Sequence, residues 1–382
     1  MAAERRRAIA RRRLTALGIA GALAFVVGVA VGGGDDESDG GDGSAPAATP
    51  APEEVARKVS EELPLTQQVG RLVVLRFAGT SVPGYVRRVL SEGRAAGAIL
   101  FRDNLTDAEQ AKALAGRLER GAEGPPLIMV DQEGGEVRIL PWAPPAASQS
   151  QQAAAGTVGA DAEAAARALR ATGINVSLAP VGDVPSVDGA ALTGRAFSTD
   201  FQVAAEAMAE SVRGWREGGV APTAKHFPGI GGAVTNTDDG PVTIERSAQQ
   251  IRDEDLVPFR AAIEAGVPLV MAGHALYSAL DRERIASQSQ PIIEGLLRDE
   301  LGFDGVVITD STEAAAVQAV TGVQEAAVRN IHAGVDIVLT TGRGSYIQVY
   351  RALLAEARRD PAFRDRVRQS AARVVALQQS LR

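Results

Sequence analysis

The carboxylate of Asp310 closes the run Gly305-Val306-Val307-Ile308-Thr309-Asp310, where an apolar strand would hold it rigidly at the strand's end. An aspartate so placed suits the part of a catalytic nucleophile. It suits equally well an N-cap for a following helix over Ser311–Val320. Lys225-His226-Phe227-Pro228-Gly229 is a second chemical cluster. Its lysine and histidine offer donors to hydroxyls, and Phe-Pro before glycine-rich sequence implies a sharply turned loop. Asp131, Asp183 and His274 also stand at or just past the ends of apolar runs. Each alone reads as well as a helix cap or a satisfied core residue. His332 falls inside a predicted helix and reads as structural. The three histidines are scattered and there is no cysteine, which removes disulfides, thiolate ligands and a cysteine nucleophile. No metal site and no cofactor are expected, although a carboxylate-only cation site stays open.

Eight short β-rich runs must position these groups: Arg71–Phe77, Gly97–Phe101, Leu127–Asp131, Asn175–Pro180, Pro222–His226, Leu269–His274, Val306–Asp310 and Asp336–Thr340. Between them lie amphipathic patterns such as Asp107–Arg120, Phe201–Glu217, Ser247–Ala265 and Ile292–Leu301. Strand alternating with helix means parallel strands. Eight of them in a domain of this size predict an α/β fold of the (βα)8 TIM-barrel type. An open doubly wound sheet is the alternative, and no GxGxxG fingerprint supports it. The polar residues at five of the eight strand ends agree with the barrel, whose active sites gather at the C-terminal ends of strands.

The N-terminus reads differently. Six arginines among residues 5–13 precede an uncharged run, Leu14 to Gly34, long enough to span a bilayer. The segmentation is therefore a basic cytoplasmic segment (1–13), a transmembrane signal-anchor (14–34), a disordered linker (35–52) and the barrel (53–382). Arginines before the span predict a single-pass protein of the cell membrane with a cytoplasmic N-terminus and an extracytoplasmic barrel. A cleaved signal peptide, leaving a secreted protein, is the rival reading. A net charge of −7 argues against nucleic-acid binding, and a barrel of this size is expected to be a monomer.

Six motifs occur in one order: Gly97-Ala98-Ile99-Leu100-Phe101, Val130-Asp131-Gln132-Glu133-Gly134-Gly135, Ala179-Pro180-Val181-Gly182-Asp183-Val184, Gly194-Arg195-Ala196-Phe197, the Lys225–Gly229 motif, and Phe303–Asp310. As a set they resemble glycoside hydrolase family 3, in its single-domain bacterial β-N-acetylglucosaminidase (β-N-acetylhexosaminidase) branch, over nearly all of residues 60–345. The resemblance implies a (βα)8 barrel and an exo-acting retaining β-glycosidase that removes terminal β-linked N-acetylglucosamine from peptidoglycan-derived or related glycans. It implies Asp310 as nucleophile. Asp131, Arg195, Lys225 and His226 would hold the sugar, with Asp183 close by.

The chain departs from that branch where a mobile Asp-Ser-His acid/base dyad should follow the Lys-His-Phe-Pro-Gly motif. Here Asn236 falls at the dyad aspartate and Asp238 at the histidine, followed by Asp239. Asp238, or in second place Asp239, is then the candidate acid/base, since most glycosidases use a carboxyl pair. Both also read as a solvated turn beside Gly240-Pro241. Glu136 and Ile139 replace two expected arginines, and Arg138 is one position out of register, in place only through a local bulge. The alternatives are a membrane-tethered glycan-binding pseudoenzyme, or a family 3 glycosidase for a different sugar.

Overall fold

The computed structural model describes residues 52–381. The expected basic segment, signal-anchor and linker lie outside the described residues, apart from Pro52, where the first described helix, Pro52–Glu62, begins. Among the described residues no helix is long and apolar enough to cross a membrane.

All eight expected strands form: β1 (Val73–Arg76), β2 (Gly97–Ile99), β3 (Leu127–Val130), β4 (Val176–Ser177), β5 (Ala221–Phe227), β6 (Leu269–Ala272), β7 (Val306–Thr309) and β8 (Val338–Leu339). They pair in parallel in the order β8-β1-β2-β3-β4-β5-β6-β7. A single parallel bridge between Ile308 and Ile337 joins β7 to β8, so the sheet nearly closes into a barrel. Alternation along the strands explains why the runs read as continuously apolar. Val74, Ile99, Met129, Val176, Leu269, Ile308 and Leu339 share one buried cluster, the barrel interior. Their neighbours Val73, Leu75, Ile128 and Val130 pack outward against helices, as do Val270 and Val307. Both faces of the sheet are thus covered. Val374 and Leu377, from the last helix (Pro361–Ser380), join the interior cluster and floor the barrel.

Helix Phe201–Glu217 starts and ends where the pattern places it, because the Asp200 carboxylate accepts from the amides of Gln202 and Val203 at 2.8 and 3.0 Å. Asp107 caps helix Ala108–Glu119 in the same way. Three expectations need correction. The run Asn175–Pro180 yields only Val176–Ser177; Asn175 still bonds both neighbouring strands through its backbone and adds side-chain bonds to Ile128 and Pro126, and residues 178–180 leave the regular strand. Ser311–Val320 is helical only over Ala315–Gln318. Thr312 is drawn off to the Leu339 carbonyl and the Glu313 carboxylate to the Thr341 amide, and the chain makes a turn there, with the Ala314 amide donating to the Ser311 carbonyl, before the helix begins. A short antiparallel hairpin, Gln132–Gly134 with Val137–Arg138, follows β3 and is absent from the sequence reading.

The floor end of the barrel carries a buried ion network. Asp336, just before β8, is fully buried and meets Arg298 at 2.7 Å and Arg366 and Arg373 at 3.2 Å each. It also accepts from Ser370 Oγ at 2.8 Å and from the Val307 amide at 2.9 Å. Asp336→Asn leaves Arg373 without its carboxylate partner and Arg298 and Arg366 sharing Glu294 alone. The expected cost is about 3–5 kcal/mol, read as a lower denaturant midpoint with an unchanged slope. A midpoint within error of the parent would show that the network adds no stability.

Candidate active site

At the opposite end, β3 and β5 bring the first cluster together. β5 loses register with β6 between Ala224 and Phe227, and such an irregularity re-aims side chains. Lys225 and His226 lie within it, both buried. Lys225 Nζ sits 2.6 Å from Asp131 Oδ1 and 2.7 Å from Glu133 Oε1. Arg195 completes the cluster with a bidentate pair to Glu133, Nη2 to Oε1 at 2.7 Å and Nε to Oε2 at 2.9 Å. Burial opposes the charge on Glu133, but Lys225 and Arg195 outweigh it and hold its carboxyl at about 2. Burial likewise opposes the charge on Lys225, and Asp131 and Glu133 reverse that and raise its pKa. Both cations are therefore locked in the charged state, with Asp131 still partly open to solvent.

Glu133 is the residue that the sequence reading misses. Its signal lies in the composition of the strand end: two cations, Lys225 and Arg195, demand more negative charge than Asp131 supplies. The hairpin supplies it, because the register of Gln132–Gly134 shifts against Val137–Arg138 and the extra residue is Glu133. Gly134 makes the turn possible, at φ 100° and with the Ala147 carbonyl oxygen only 2.2 Å from where a Cβ would sit. The bulge serves Glu133 and not Arg138. The Arg138 guanidinium donates to the Pro141 carbonyl at 2.9 Å and makes no hydrogen bond or ion pair with the other predicted residues.

A second chain of contacts runs through His226. Asp183 is buried and accepts from the Ile230 amide at 2.7 Å. Its Oδ2 lies 2.6 Å from His226 Nδ1, and His226 Nε2 faces Asp310 Oδ2 at 3.7 Å. Asp183 thus holds the imidazole against Asp310. Burial works against ionisation of Asp310, but His226, His274 and Lys225 outweigh it and hold its carboxyl below the usual range. Asp310 also accepts from the Ser311 amide at 2.7 Å.

His274 proves closer to the chemistry than a core histidine. It is fully buried at the end of β6, with Nε2 3.0 Å from the Ser311 carbonyl and Nδ1 2.9 Å from Ser287 Oγ. A carbonyl only accepts, so Nε2 carries the proton and Nδ1 accepts from Ser287. Burial pushes the imidazole's pKa down, towards this neutral form. The bond fixes the residue whose amide holds the Asp310 carboxylate, which makes His274 a candidate positioning residue. For His274→Ala, kcat is expected to fall about 10–100-fold with KM little changed. His274→Gln, which keeps a donor, is expected to recover much of the loss. Equal losses in the two variants would reduce His274 to packing.

Asp238 and Asp239 lie on an exposed turn, but the turn is anchored. The carbonyls of Thr237 and Asp238 accept from the amides of Ala316 and Ala315 at 3.0 and 3.2 Å. That ties the turn to the helix after Asp310. Gly231 packs so closely that a Cβ would meet the Val184 carbonyl oxygen at 1.8 Å. Partial burial and then the charge of Asp310 push the Asp238 carboxyl above its ordinary range, with His226 and Arg195 opposing. Asp310 and Asp238 are thus a pair whose surroundings push their protonation in opposite directions, the pattern of a nucleophile and an acid.

Elsewhere, His332 packs on Phe363 at 4.7 Å. Its ring nitrogen, Glu356 and Asp360 form a trio of possible ligands within 4.8 Å of one another. However, Glu356 already pairs with Arg359 at 2.7 Å and Asp360 caps the last helix. A groove of about 980 Å³, lined in part by Arg57, Pro268, Ala372 and Leu377, holds none of the predicted residues.

The family model described as glycosyl hydrolase family 3 N terminal domain matches residues 65–377. The chain belongs to glycoside hydrolase family 3. A β-hexosaminidase of Stenotrophomonas maltophilia is 36% identical over 279 residues, covering 70% of this chain and 82% of that protein. An uncharacterized secreted glycosyl hydrolase of Arthroderma benhamiae is 33% identical over 83% of this chain and 94% of its own. Among solved structures, a family 3 β-N-acetylglucosaminidase from a Paenibacillus species superposes with TM-score 0.79 at 35% identity. That match covers 84% of this chain and spans 63% of the Paenibacillus chain. A β-N-acetylhexosaminidase from Beutenbergia cavernae gives TM-score 0.77 at 32% identity, covering 83% of this chain and 99% of that one.

Proposed function

We propose that this family 3 member is a retaining, exo-acting β-N-acetylglucosaminidase in which Asp310 is the nucleophile and Asp238 the acid/base. The opposed protonation of these two carboxyls supports the reading most directly. Asp310 attacks the anomeric carbon while Asp238 protonates the departing oxygen, so one C–O bond forms as another breaks. A water molecule then attacks the same carbon, gives its proton to Asp238 and releases Asp310 as a carboxylate. Asp131 accepts from sugar hydroxyls, and Lys225, Arg195 and His226 hold the ring. No cofactor takes part. The substrate class is terminal β-linked N-acetylglucosamine of peptidoglycan-derived or related glycans; the β-hexosaminidase and β-N-acetylglucosaminidase names of the Stenotrophomonas and Paenibacillus relatives support the sugar, and the glycan source is part of the proposal. Tethering by residues 14–34 would place the site outside the cytoplasm, and the secreted Arthroderma relative supports that side of the membrane.

The test is turnover of an aryl β-N-acetylglucosaminide with the first-formed anomer read by NMR. The β-anomer is expected, and the α-anomer would exclude a retaining route. Saccharide binding without turnover in the folded protein would favour the tethered glycan-binding pseudoenzyme.

A further inference from the structure

The peptide that joins Gly229 to Ile230, at the end of the Lys225–Gly229 motif, is gripped on both polar edges by side chains from other parts of the barrel. Its N–H donates to Asp183 Oδ1 at 2.7 Å, and its C=O accepts from the Tyr277 hydroxyl at 2.8 Å. Tyr277 lies just past His274 in the segment after β6, and its side chain is fully buried. Among the described residues no other donor meets the Gly229 carbonyl. Gly229 has φ 116°, and Asp255, paired with Arg246 at 2.7 Å, packs 3.2 Å from where a Gly229 Cβ would sit. The peptide is thereby held in place and in rotation. Burial, and then the charges of Asp183 and Asp255, push the Tyr277 hydroxyl well above its ordinary pKa, so it stays a donor.

From this peptide a line of contacts reaches Asp310. Asp183 takes the Ile230 amide on one oxygen and His226 Nδ1 on the other, the latter at 2.6 Å. His226 Nε2 then faces Asp310 Oδ2 at 3.7 Å. Hydrogen bonds in such a chain polarise one another, so a donor on the carbonyl edge strengthens the N–H on the far edge. Without the Tyr277 hydroxyl the buried carbonyl has no partner and the peptide turns to find one. That carries the Ile230 amide, and with it the Asp183 carboxylate, out of line.

Resting on Asp310 as the nucleophile proposed above, we propose that Tyr277 is a positioning residue for the His226 imidazole: through the Gly229–Ile230 peptide and the Asp183 carboxylate it sets how closely His226 faces Asp310.

Tyr277→Phe removes the hydroxyl and keeps the ring. The full chain is assayed with an aryl β-N-acetylglucosaminide across pH. kcat/KM is expected to fall about tenfold, within what a small misplacement near the chemistry costs. The rising limb of its pH profile reports ionisation of Asp310 in the free enzyme. Of the neighbours that hold the Asp310 carboxyl down against burial, His226 acts most strongly, ahead of His274 and Lys225. An imidazole set further off should therefore move that limb up, towards the ordinary aspartate range, and leave the falling limb in place. In a His226→Ala background the last link is gone, and Tyr277→Phe is expected to cost less than about twofold. Tyr346→Phe removes a like bond, from a hydroxyl to the Arg94 carbonyl at 2.7 Å, and is expected to change none of these readings. An unmoved rising limb, or a loss as large without His226 as with it, overturns the inference. So does a Tyr277→Phe chain that cannot be recovered folded, since the hydroxyl then serves the fold. If Asp310→Ala keeps full activity in the same assay, the proposed function fails and the inference with it. If Asp310→Ala is inactive and Tyr277→Phe matches the parent, the inference fails alone.

Discussion

Asp310→Ala is expected to abolish turnover of an aryl β-N-acetylglucosaminide, a loss on the order of 10⁴-fold or more in kcat, because no covalent intermediate can then form. An aryl leaving group needs little protonation, so this substrate isolates the nucleophile from the acid. The proposed role rests on surroundings that favour the carboxylate form: Asp310 is held below the usual range, accepts from the Ser311 amide and is faced by His226. The fold should survive the change, since Asp310 stands at the mouth and the interior cluster does not include it. Mass spectrometry of the parent with a slow 2-fluoro sugar should place the adduct on the peptide containing Asp310. Full activity in Asp310→Ala, or an adduct elsewhere, would remove it from the mechanism.

Asp238→Ala is expected to act unevenly. With a poor leaving group such as a second sugar, kcat should fall about 10²–10⁴-fold, the usual worth of general acid help. With an activated aryl leaving group the first step should be nearly spared, and added azide, a nucleophile that needs no base, should restore release as the glycosyl azide. The pH profile carries the same information. Activity needs Asp310 ionised, so it should rise with pH through a limb lying below the ordinary aspartate range. It needs Asp238 protonated, so it should fall through a limb lying above that range. In Asp238→Asn the falling limb should disappear with the aryl substrate. A profile unchanged by that substitution, with no azide rescue, would shift the acid role to Asp239 or end the carboxylate reading.

The fold was largely legible because its signals are local and periodic. All eight runs become strands, and Asp107 and Asp200 cap the helices expected after them. The errors come where side chains bond the main chain beside the ladder. The Asn175 side chain bonds the neighbouring strand's backbone beside the ladder at the start of β4, and the Thr312 and Glu313 side chains bond the chain after β8 where the segment after Asp310 turns. The strand-end residues Asp131, Asp183, Lys225, His226 and Asp310 do meet at one end of the barrel, as their placement in the runs implies. Glu133 and His274 were not legible as site residues. Each acts through a partner far along the chain, Glu133 through Lys225 and Arg195 and His274 through Ser311, and no spacing rule records such pairs. Arg138 shows the converse: a residue type expected at a site, one position out of register, finds a carbonyl of its own loop instead.

The floor of the barrel has a consequence for how the molecule is made. Val374 and Leu377 seal an interior whose walls come from strands spread over residues 73–339, and β8 must also meet β1 across most of the chain. A chain emerging in order from a ribosome therefore carries an open-bottomed barrel until helix Pro361–Ser380 appears. Until then the apolar lining faces water from below, and any product ending before Val374 is left in that state. The interior is therefore sealed only once helix Pro361–Ser380 has been made and docked.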